Sequence, residues 1–576
     1  MKNSKRNTEN QPRAAAAAPA SVPAAGLPWW APLSAAILAL IAYFPALNGP
    51  FLFDDLSLPM MSQGQGINYA EFLRRGVRAL TNMSLLADRD LWAMNTTPYH
   101  VENFVLHVVN ALLVYFILKN LLERAGREGR AVVVSAGFGA AVFLLHPLQT
   151  EAVAYIASRS EVLSVFFSFA ALLVFLRRKE AAVSWAHAIV VLLLIGLGAL
   201  SKETAVAMAG VLLLTDLYFH EGSPLEGVVK NWRLYVPLLA GGLAGGLFVY
   251  RLASHEGTAG SSLSFSPLDY LFTQFQVVWV YVRLFVAPYG QNLDHGFPIV
   301  KAPGSVLSWL GLLGIVAAVG AAFVWRKRYP LASLGVLTFF VLLTPTSSIL
   351  PIADPLVERR VYFASIGLLL IVCEFLSRWT LNAAKVAGLA ALAAVLTMLT
   401  MFRSDLYTST QAMWVESVKA NPQNYRAQFQ LAFSYYEKGE CSKSLEHYKA
   451  ASLLQKPDYR LLVDWALALD CAEDVPGAIA RLQEATKLEN TSTAWSTMGM
   501  IYGKRNQPEL ALDALNHALQ LSRRDAMTWV YRGNVYFTLG QHRQALSDFE
   551  EALKRDASNP AAQQGKAAAV NALGRK

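Results

Sequence analysis

The sequence predicts an all-α protein, a polytopic membrane helical bundle of about eleven spans followed by an α-solenoid. Three observations predict it. Of the 576 residues, 54% are hydrophobic and only 16% charged, whereas soluble domains carry about 25% charged residues. The apolar residues come in runs near twenty, the length an α-helix needs to cross a bilayer. From about Tyr407 those runs stop. Segments of 34, 33 and 34 residues then begin at Tyr425, Tyr459 and Ser492, with a further one at Ala526. That period belongs to helix–turn–helix repeats of the tetratricopeptide (TPR) kind.

Residues 1–30 read as a disordered tail, basic at first and then rich in Ala and Pro, without the form of a cleavable signal peptide. Spans are expected at 31–49, 101–121, 131–147, 161–177, 184–200, 204–219, 234–252, 305–325, 330–345, 361–377 and 384–402. Lys2, Lys5, Arg6 and Arg13 place the N-terminus in the cytoplasm. The clusters Arg124/Arg127/Arg130, Arg177/Arg178/Lys179, Lys230/Arg233 and Arg326/Lys327/Arg328 then also fall inside. Residues 268–287 are apolar enough to span, but a span there would move Arg326–Arg328 outside. They are therefore read as a re-entrant or interfacial helix, which leaves the C-terminus exported. Residues 51–100 mix apolar and charged side chains, as in Tyr69–Arg75 and Leu85–Trp92, and suit amphipathic helices along the membrane surface.

The net charge of +9 follows from loop arginines and lysines and is no sign of nucleic-acid binding. Cys373, Cys441 and Cys471 are too few and too scattered for a metal site. Cys441 and Cys471 are read as two buried thiols; an oxidising compartment would permit a disulfide instead.

The transmembrane part is taken as 31–403 and the repeats as 407–576. The clearest repeat runs from Trp529 through Gly533, Tyr536, Leu539-Gly540, Ala545, Phe549 and Ala552 to Asn559-Pro560. Residues 407–422 suit the second half of a leading repeat, and Ala561–Leu573 a capping helix. Such arrays bind partners and carry no chemistry of their own.

The polar residues that could carry chemistry converge on the outer surface. Asp54 and Asp55 follow the first span directly, where carboxylates are costly and usually functional. His146-Pro147-Leu148-Gln149-Thr150-Glu151 opens the second outer loop and Arg159-Ser160-Glu161 closes it. Ser201-Lys202-Glu203 joins two spans with almost no loop, and Glu358-Arg359-Arg360 precedes another, followed by Tyr362. Carboxylates suit a base that removes a hydroxyl proton. Arginine and lysine suit a phosphate that gains charge as it leaves.

At these residues the chain resembles the transmembrane and TPR-repeat-containing proteins and their bacterial relatives, GT-C fold glycosyltransferases of the O-mannosyltransferase type. The resemblance rests on Phe53-Asp54-Asp55; Tyr99-His100 to His107 and Asn110; Leu145-His146-Pro147 through Glu151 to Arg159-Ser160-Glu161; Leu200-Ser201-Lys202-Glu203; Pro288 to Asp294-His295; and Leu343-Thr344-Pro345 through Glu358-Arg359 to Tyr362. It covers nearly the whole chain in order, with the repeats at the expected end. One departure lies between Arg74 and Leu85, where the family's polar Arg-Pro element is absent. The resemblance implies a bacterial inner-membrane enzyme with its repeats on the periplasmic side. It implies inverting transfer of a sugar from a polyprenyl phosphate to a hydroxyl acceptor on a polypeptide, with no cofactor and no metal. In that reading Asp54 is the base, Asp55 or Glu151 orients the acceptor, Arg359 and Arg360 clamp the donor phosphate, and Lys202 assists. His146, Arg159, Glu203 and Glu358 are further candidates.

Plainer roles stand beside these. Glu358–Arg359 and Lys202–Glu203 can each be a mutual ion pair, His146 can cap the helix at Pro147, and His100 and His107 can be packing residues. The competing function is a non-catalytic membrane scaffold whose repeats recruit partners for envelope or pilus assembly. A polysaccharide ligase or polymerase and a transporter fit the outer polar residues less well.

Overall fold

The computed structural model describes residues 28–61, 69, 78–178, 182–220, 224–256, 265–303 and 305–574. Residues 1–27 with their basic side chains, Lys179, and most of the surface segment Tyr69–Arg75 lie outside the described residues.

The fold is all-helical, as the sequence predicts. The first part holds α1 (Trp30–Tyr43), α2 (Ala79–Trp92), α3 (Thr96–Arg124), α4 (Gly129–Leu145), the short α5 (Thr150–Ala154), α6 (Arg159–Leu176), α7 (Trp185–Ser201) and α8 (Met208–Phe219). It continues with α9 (Pro224–Lys230), α10 (Trp232–Glu256), α11 (Pro267–Val286), α12 (Val306–Trp325), α13 (Pro330–Leu343), α14 (Val361–Leu376) and α15 (Ala383–Asp405). Polar caps set several of the starts. Asn95 accepts from the Thr97 amide at α3, Ser184 from the His187 amide at α7, and Ser266 with Asp269 forms a capping box at α11.

By length and composition, five described helical stretches are able to cross a membrane, and a sixth is the pair Gly129–Leu145 and Pro147–Ala154, bent by 50°. That is fewer than the eleven spans expected. For several of the expected spans the reason is length. Helices such as α7, α8 and α13 have 17, 12 and 14 residues, and at 1.5 Å per residue the shortest reaches only about 18 Å. Residues 268–287 form one unbroken twenty-residue helix, α11, without the mid-segment break of a re-entrant loop. α12 leaves Leu310 and Leu313 58% and 64% exposed, as a lipid-facing helix does.

The bundle packs closely where small residues allow it. On α13 and α14, a Cβ on Gly335 would stand 2.4 Å from the Gly367 carbonyl oxygen. Only glycine permits that approach. Inside, His107 shares a hydrogen bond with the Tyr362 hydroxyl (2.9 Å), which also accepts from Asn110 Nδ2 (3.0 Å), and the His100 ring bonds the Gly49 carbonyl (3.2 Å). Each of these buried side chains has at least one partner within the protein.

The second part is a solenoid. A leading helix α16 (Thr410–Ala420) precedes four helix pairs. These are α17 (Tyr425–Glu437) with α18 (Cys441–Leu454), α19 (Tyr459–Cys471) with α20 (Val475–Leu488), α21 (Ser492–Lys504) with α22 (Pro508–Leu521), and α23 (Ala526–Thr538) with α24 (His542–Arg555). α25 (Pro560–Gly574) closes the array. The first helix of every pair starts at the residue the repeat period marks. A Cβ on Gly533 would come within 2.9 Å of the Phe549 ring, so the small residue lets the two helices of its pair meet.

Cys441 and Cys471 form a disulfide, which corrects the reading of two buried thiols. Cys441 opens α18 and Cys471 closes α19. Consecutive solenoid helices run in opposite directions, so these two ends meet, with Cα atoms 5.8 Å apart.

The leading helices of the solenoid dock on loops of the bundle. A Cβ on Gly49 would stand 2.5 Å from the Tyr407 carbonyl oxygen. Ser417 Oγ donates to Asn292 Oδ1 (2.5 Å), Asn421 Nδ2 to the His295 carbonyl (3.1 Å) and Asn424 Nδ2 to the Asp294 carbonyl (3.1 Å).

Candidate functional site

The loops at one end of the bundle gather around Arg359. It stands in a 3-10 turn, Glu358–Arg360, just before α14. Its Nη1 lies 2.6 Å from Glu151 Oε1, and its backbone amide donates to Glu151 Oε2 at 3.0 Å. Its Nη2 lies 3.6 Å from Asp54 Oδ2. The Tyr155 ring sits beneath the guanidinium, 5.6 Å from centroid to Cζ, and the Tyr155 hydroxyl accepts from the Asp54 amide at 2.6 Å.

Three carboxylates here have different fates. Glu151 is buried, and both its oxygens are taken by Arg359. Asp55 is fully buried; it accepts from the Leu52 amide (2.8 Å) and the Ala157 amide (2.6 Å). Burial pushes Asp55 up to about 7 against the pull of those two amides, and neighbouring Asp54 adds to the rise. The side chain of Asp54 is 43% exposed. It is therefore the member of this group that can meet a ligand. Asp55 and Glu151 are both buried, and each already accepts a hydrogen bond on both of its oxygens.

A second set of charges adjoins the first. Lys202 pairs with Glu161, and Glu203 with Arg78, whose Nη2 lies 2.9 Å from Glu203 Oε1. The expected Lys202–Glu203 pair is thus replaced by two pairs running in different directions. Lys202 has an extended backbone (φ −157°, ψ 134°), and successive side chains on extended backbone point to opposite sides. Burial lowers the Lys202 pKa, and Arg78 and Arg359 act in the same direction against Glu161. Arg78, Lys202 and Arg359 therefore feel one another's charge.

The remaining candidates point elsewhere. Arg360 donates to the carbonyls of Pro355 (3.0 Å) and Asp354 (2.8 Å), so it braces its own loop and does not stand beside Arg359's partners. Glu358 does not pair with Arg359. It is buried and accepts from the Asn292 amide (2.6 Å) and Gln291 Nε2 (2.9 Å), with His295 Nε2 2.9 Å away. It pins the Pro288–His295 loop. Arg159 is buried among Asp88 (3.0 Å), Glu102 (2.6 Å), Asn103 and the Tyr99 carbonyl, where it ties α2 to α3 and α6. His146 Nδ1 accepts from the Leu148 amide at 3.1 Å, a cap before Pro147, and its ring stacks on Phe285. Among the described residues, no group of three or more His, Cys, Asp or Glu is placed to hold a metal ion.

Sequence reasoning missed Arg78, Tyr155 and Arg426. Arg78 lies in the stretch that departs from the family pattern, and Tyr155 reads as one more interfacial aromatic. Arg426, on a repeat, lines the cleft beside Asp54 and Arg359, together with Phe53, Asp294 and Asp354. No local signal marks it.

Fold and site together describe a helical membrane-type bundle with a charged cleft at one end and a TPR solenoid docked there. The tetratricopeptide repeat family matches residues 526–559. Protein O-mannosyl-transferase F38B6.6 of Caenorhabditis elegans is 25% identical over 58% of this chain and 49% of its own length. Protein O-mannosyl-transferase TMTC4 of Homo sapiens is 22% identical over 73% of this chain and 66% of its own. Protein O-mannosyl-transferase TMTC3 of Mus musculus is 23% identical over 33% and 22%. The chain thus spans about half the length of the first of these, and its resemblance to this group extends across bundle and repeats. A crystal structure of MamA matches 27% of this chain at 19% identity with a TM-score of 0.24.

Proposed function

We propose that this protein is a membrane glycosyltransferase that moves a sugar, mannose by analogy with its relatives, from a polyprenyl phosphate to a hydroxyl on a polypeptide. The observation that carries the reading is the arrangement at Arg359. One guanidinium joins a buried carboxylate, Glu151, to an exposed one, Asp54, at the mouth of a cleft. Asp54 takes the proton of the acceptor hydroxyl. The oxygen attacks the anomeric carbon, the bond from that carbon to the donor phosphate breaks, and the phosphate leaves with its charge. In-line attack of this kind inverts the anomeric centre. Arg359, with Lys202 and Arg78 behind it, offers positive charge to the departing phosphate. Glu151 holds Arg359 in place, and Arg360 and Glu358 shape the loops around it.

The site lies on the outer face of the membrane in this reading, with the N-terminus in the cytoplasm and the repeats outside. The Cys441–Cys471 disulfide supports that side, since disulfides persist in oxidising compartments. The docking of α16 and α17 beside Asp54 supports a shared side for cleft and repeats.

The test is transfer of labelled mannose from polyprenyl-phosphate mannose to a protein acceptor by the purified chain in lipid nanodiscs. Absence of transfer, with glycans unchanged when the gene is deleted, would leave the chain as a scaffold.

A further inference from the structure

Phe53 directly precedes Asp54, and it stands in a conformation phenylalanine seldom keeps. Its φ is +35°, in the left-handed region where a Cβ is crowded. Such a residue costs about 1–3 kcal/mol and persists where its surroundings hold it. Here the holding groups come from the solenoid. Trp414 of α16, itself buried, meets the Phe53 ring edge-on, with centroids 5.3 Å apart. Arg426 of α17 covers the same ring, its Cζ 5.6 Å from the centroid.

Arg426 is fixed in turn. Its Nε and Nη2 take the two oxygens of Asp294 at 2.5 and 2.8 Å, and Nη2 also reaches Asp354 Oδ1 at 2.6 Å. Asp294 is in the loop pinned by Glu358, and Asp354 is in the loop that leads to Arg359. One guanidinium therefore ties together the three segments that border Asp54.

We propose that Arg426 and Trp414 are positioning residues for Asp54: the leading repeat clamps the strained Phe53 turn and so holds the carboxylate toward the cleft. The proposal rests on the reading of Asp54 as the base. A simple tether between solenoid and bundle could attach to any loop. A grip on the one strained residue next to Asp54, by an aromatic edge on one side and a cation on the other, is what alignment of that carboxylate requires. Arg359 has its own two hydrogen bonds to Glu151, so the proposal places the effect on Asp54 and not on donor binding.

The test compares Arg426→Ala, Arg426→Lys and Phe53→Leu in the full chain. Phe53→Leu keeps the apolar bulk and spares the ion pairs, so it covers the case in which Arg426→Ala folds poorly. The expected result is faster hydrogen exchange in the peptide covering 52–58 and a kcat lower by about tenfold or more. The KM for polyprenyl-phosphate mannose stays unchanged. Arg426→Lys falls between wild type and Arg426→Ala, since an ammonium keeps the charge and loses the bridge. The Arg426→Ala/Phe53→Leu double variant is no slower than the worse single one. Unchanged exchange at 52–58, a normal kcat, or a loss that appears only as a higher donor KM or a lower melting temperature overturns the proposal. If exchange rises as expected while wild type transfers no sugar, the grip on the turn stands and the reading of Asp54 as a base fails.

Discussion

Trp414 near the start of the solenoid and Trp529 near its end are both large, buried indoles, yet they pack against different things. Trp414 shares an apolar cluster with Ala46, Leu52, Tyr155 and Leu293 from the bundle as well as Met413, Ala427 and Leu431 from the repeats. Trp529 packs with Val530, Phe549, Ala552 and Ala562, all from the solenoid, and Arg532 and Arg555 lie over its ring. The first indole joins two parts of the protein, and the second only completes its own repeat. One array thus contains a docked end that borders the cleft and a distal end whose aromatic core packs only on its own repeats. The repeat pattern, which treats its copies as equal, does not distinguish them.

The sharpest way to separate chemistry from partner binding is Asp54→Asn at the docked end. A carboxamide cannot take the hydroxyl proton, so transfer should fall by about a hundredfold or more. Its 43% exposure makes a folding defect from this change small. Donor affinity should hold, because Arg359 keeps its pairing with Glu151. Turnover at the wild-type rate, measured with purified lipid donor, would remove Asp54 from the mechanism.

Deleting Ser492–Lys576 attacks the other end. It removes the last two pairs and α25 but retains Trp414, Arg426 and the disulfide. A distal groove that holds the acceptor raises its local concentration without touching the reacting atoms. The acceptor KM should therefore rise about tenfold or more, while slow donor hydrolysis stays unchanged. A cut at Asn424, which also removes Arg426, should lower donor hydrolysis as well. Equal effects of the two cuts would erase the distinction between docked and distal repeats.

Between the two ends, Cys441→Ser opens the staple from α18 to α19. The bridge closes a loop with a sequence separation of 30 residues, for which chain entropy gives roughly 3.6 kcal/mol. The melting transition of the solenoid should move down. Transfer at room temperature should stay within about twofold, since the staple lies outside the contacts around Phe53. A large fall in activity would mean that the docked and stapled repeats act as one unit.

Much of this was legible in the sequence, and unevenly so. Tyr425, Tyr459, Ser492 and Ala526 could be read as helix starts because a repeat states its own period. The all-helical fold followed from apolar runs. The span count was less secure, because segments such as Met208–Phe219 are apolar without being long. At the site, residue types at helix ends pointed to Asp54, Glu151, Lys202 and Arg359, and the fold brings these to one end of the bundle. Their partners were not legible. Whether Glu358 meets Arg359 or the Pro288–His295 loop depends on how loops distant in sequence cross. So does the bridge from Arg426 to Asp294 and Asp354, which spans 132 and 72 residues.

The smallest expected effect on transfer lies within the docked end, between adjacent aspartates. Asp55 is buried, and burial raises its pKa from the ordinary carboxylate range to about 7. A carboxyl with a raised folded-state pKa binds its proton more tightly in the folded protein than in the unfolded one. The stability this contributes is present in full below the unfolded value, near 4, and is lost as pH rises through about 7. Asp55→Asn cannot titrate. The melting temperature of wild type should therefore decline relative to that of Asp55→Asn between pH 5 and pH 8. Both proteins keep Asp54, so an activity profile taken in parallel reports the cleft separately from the buried cap. A wild-type-to-variant difference that stays flat over this range would mean that the Leu52 and Ala157 amides hold Asp55 ionised throughout, with hydrogen bonding prevailing over burial at this turn.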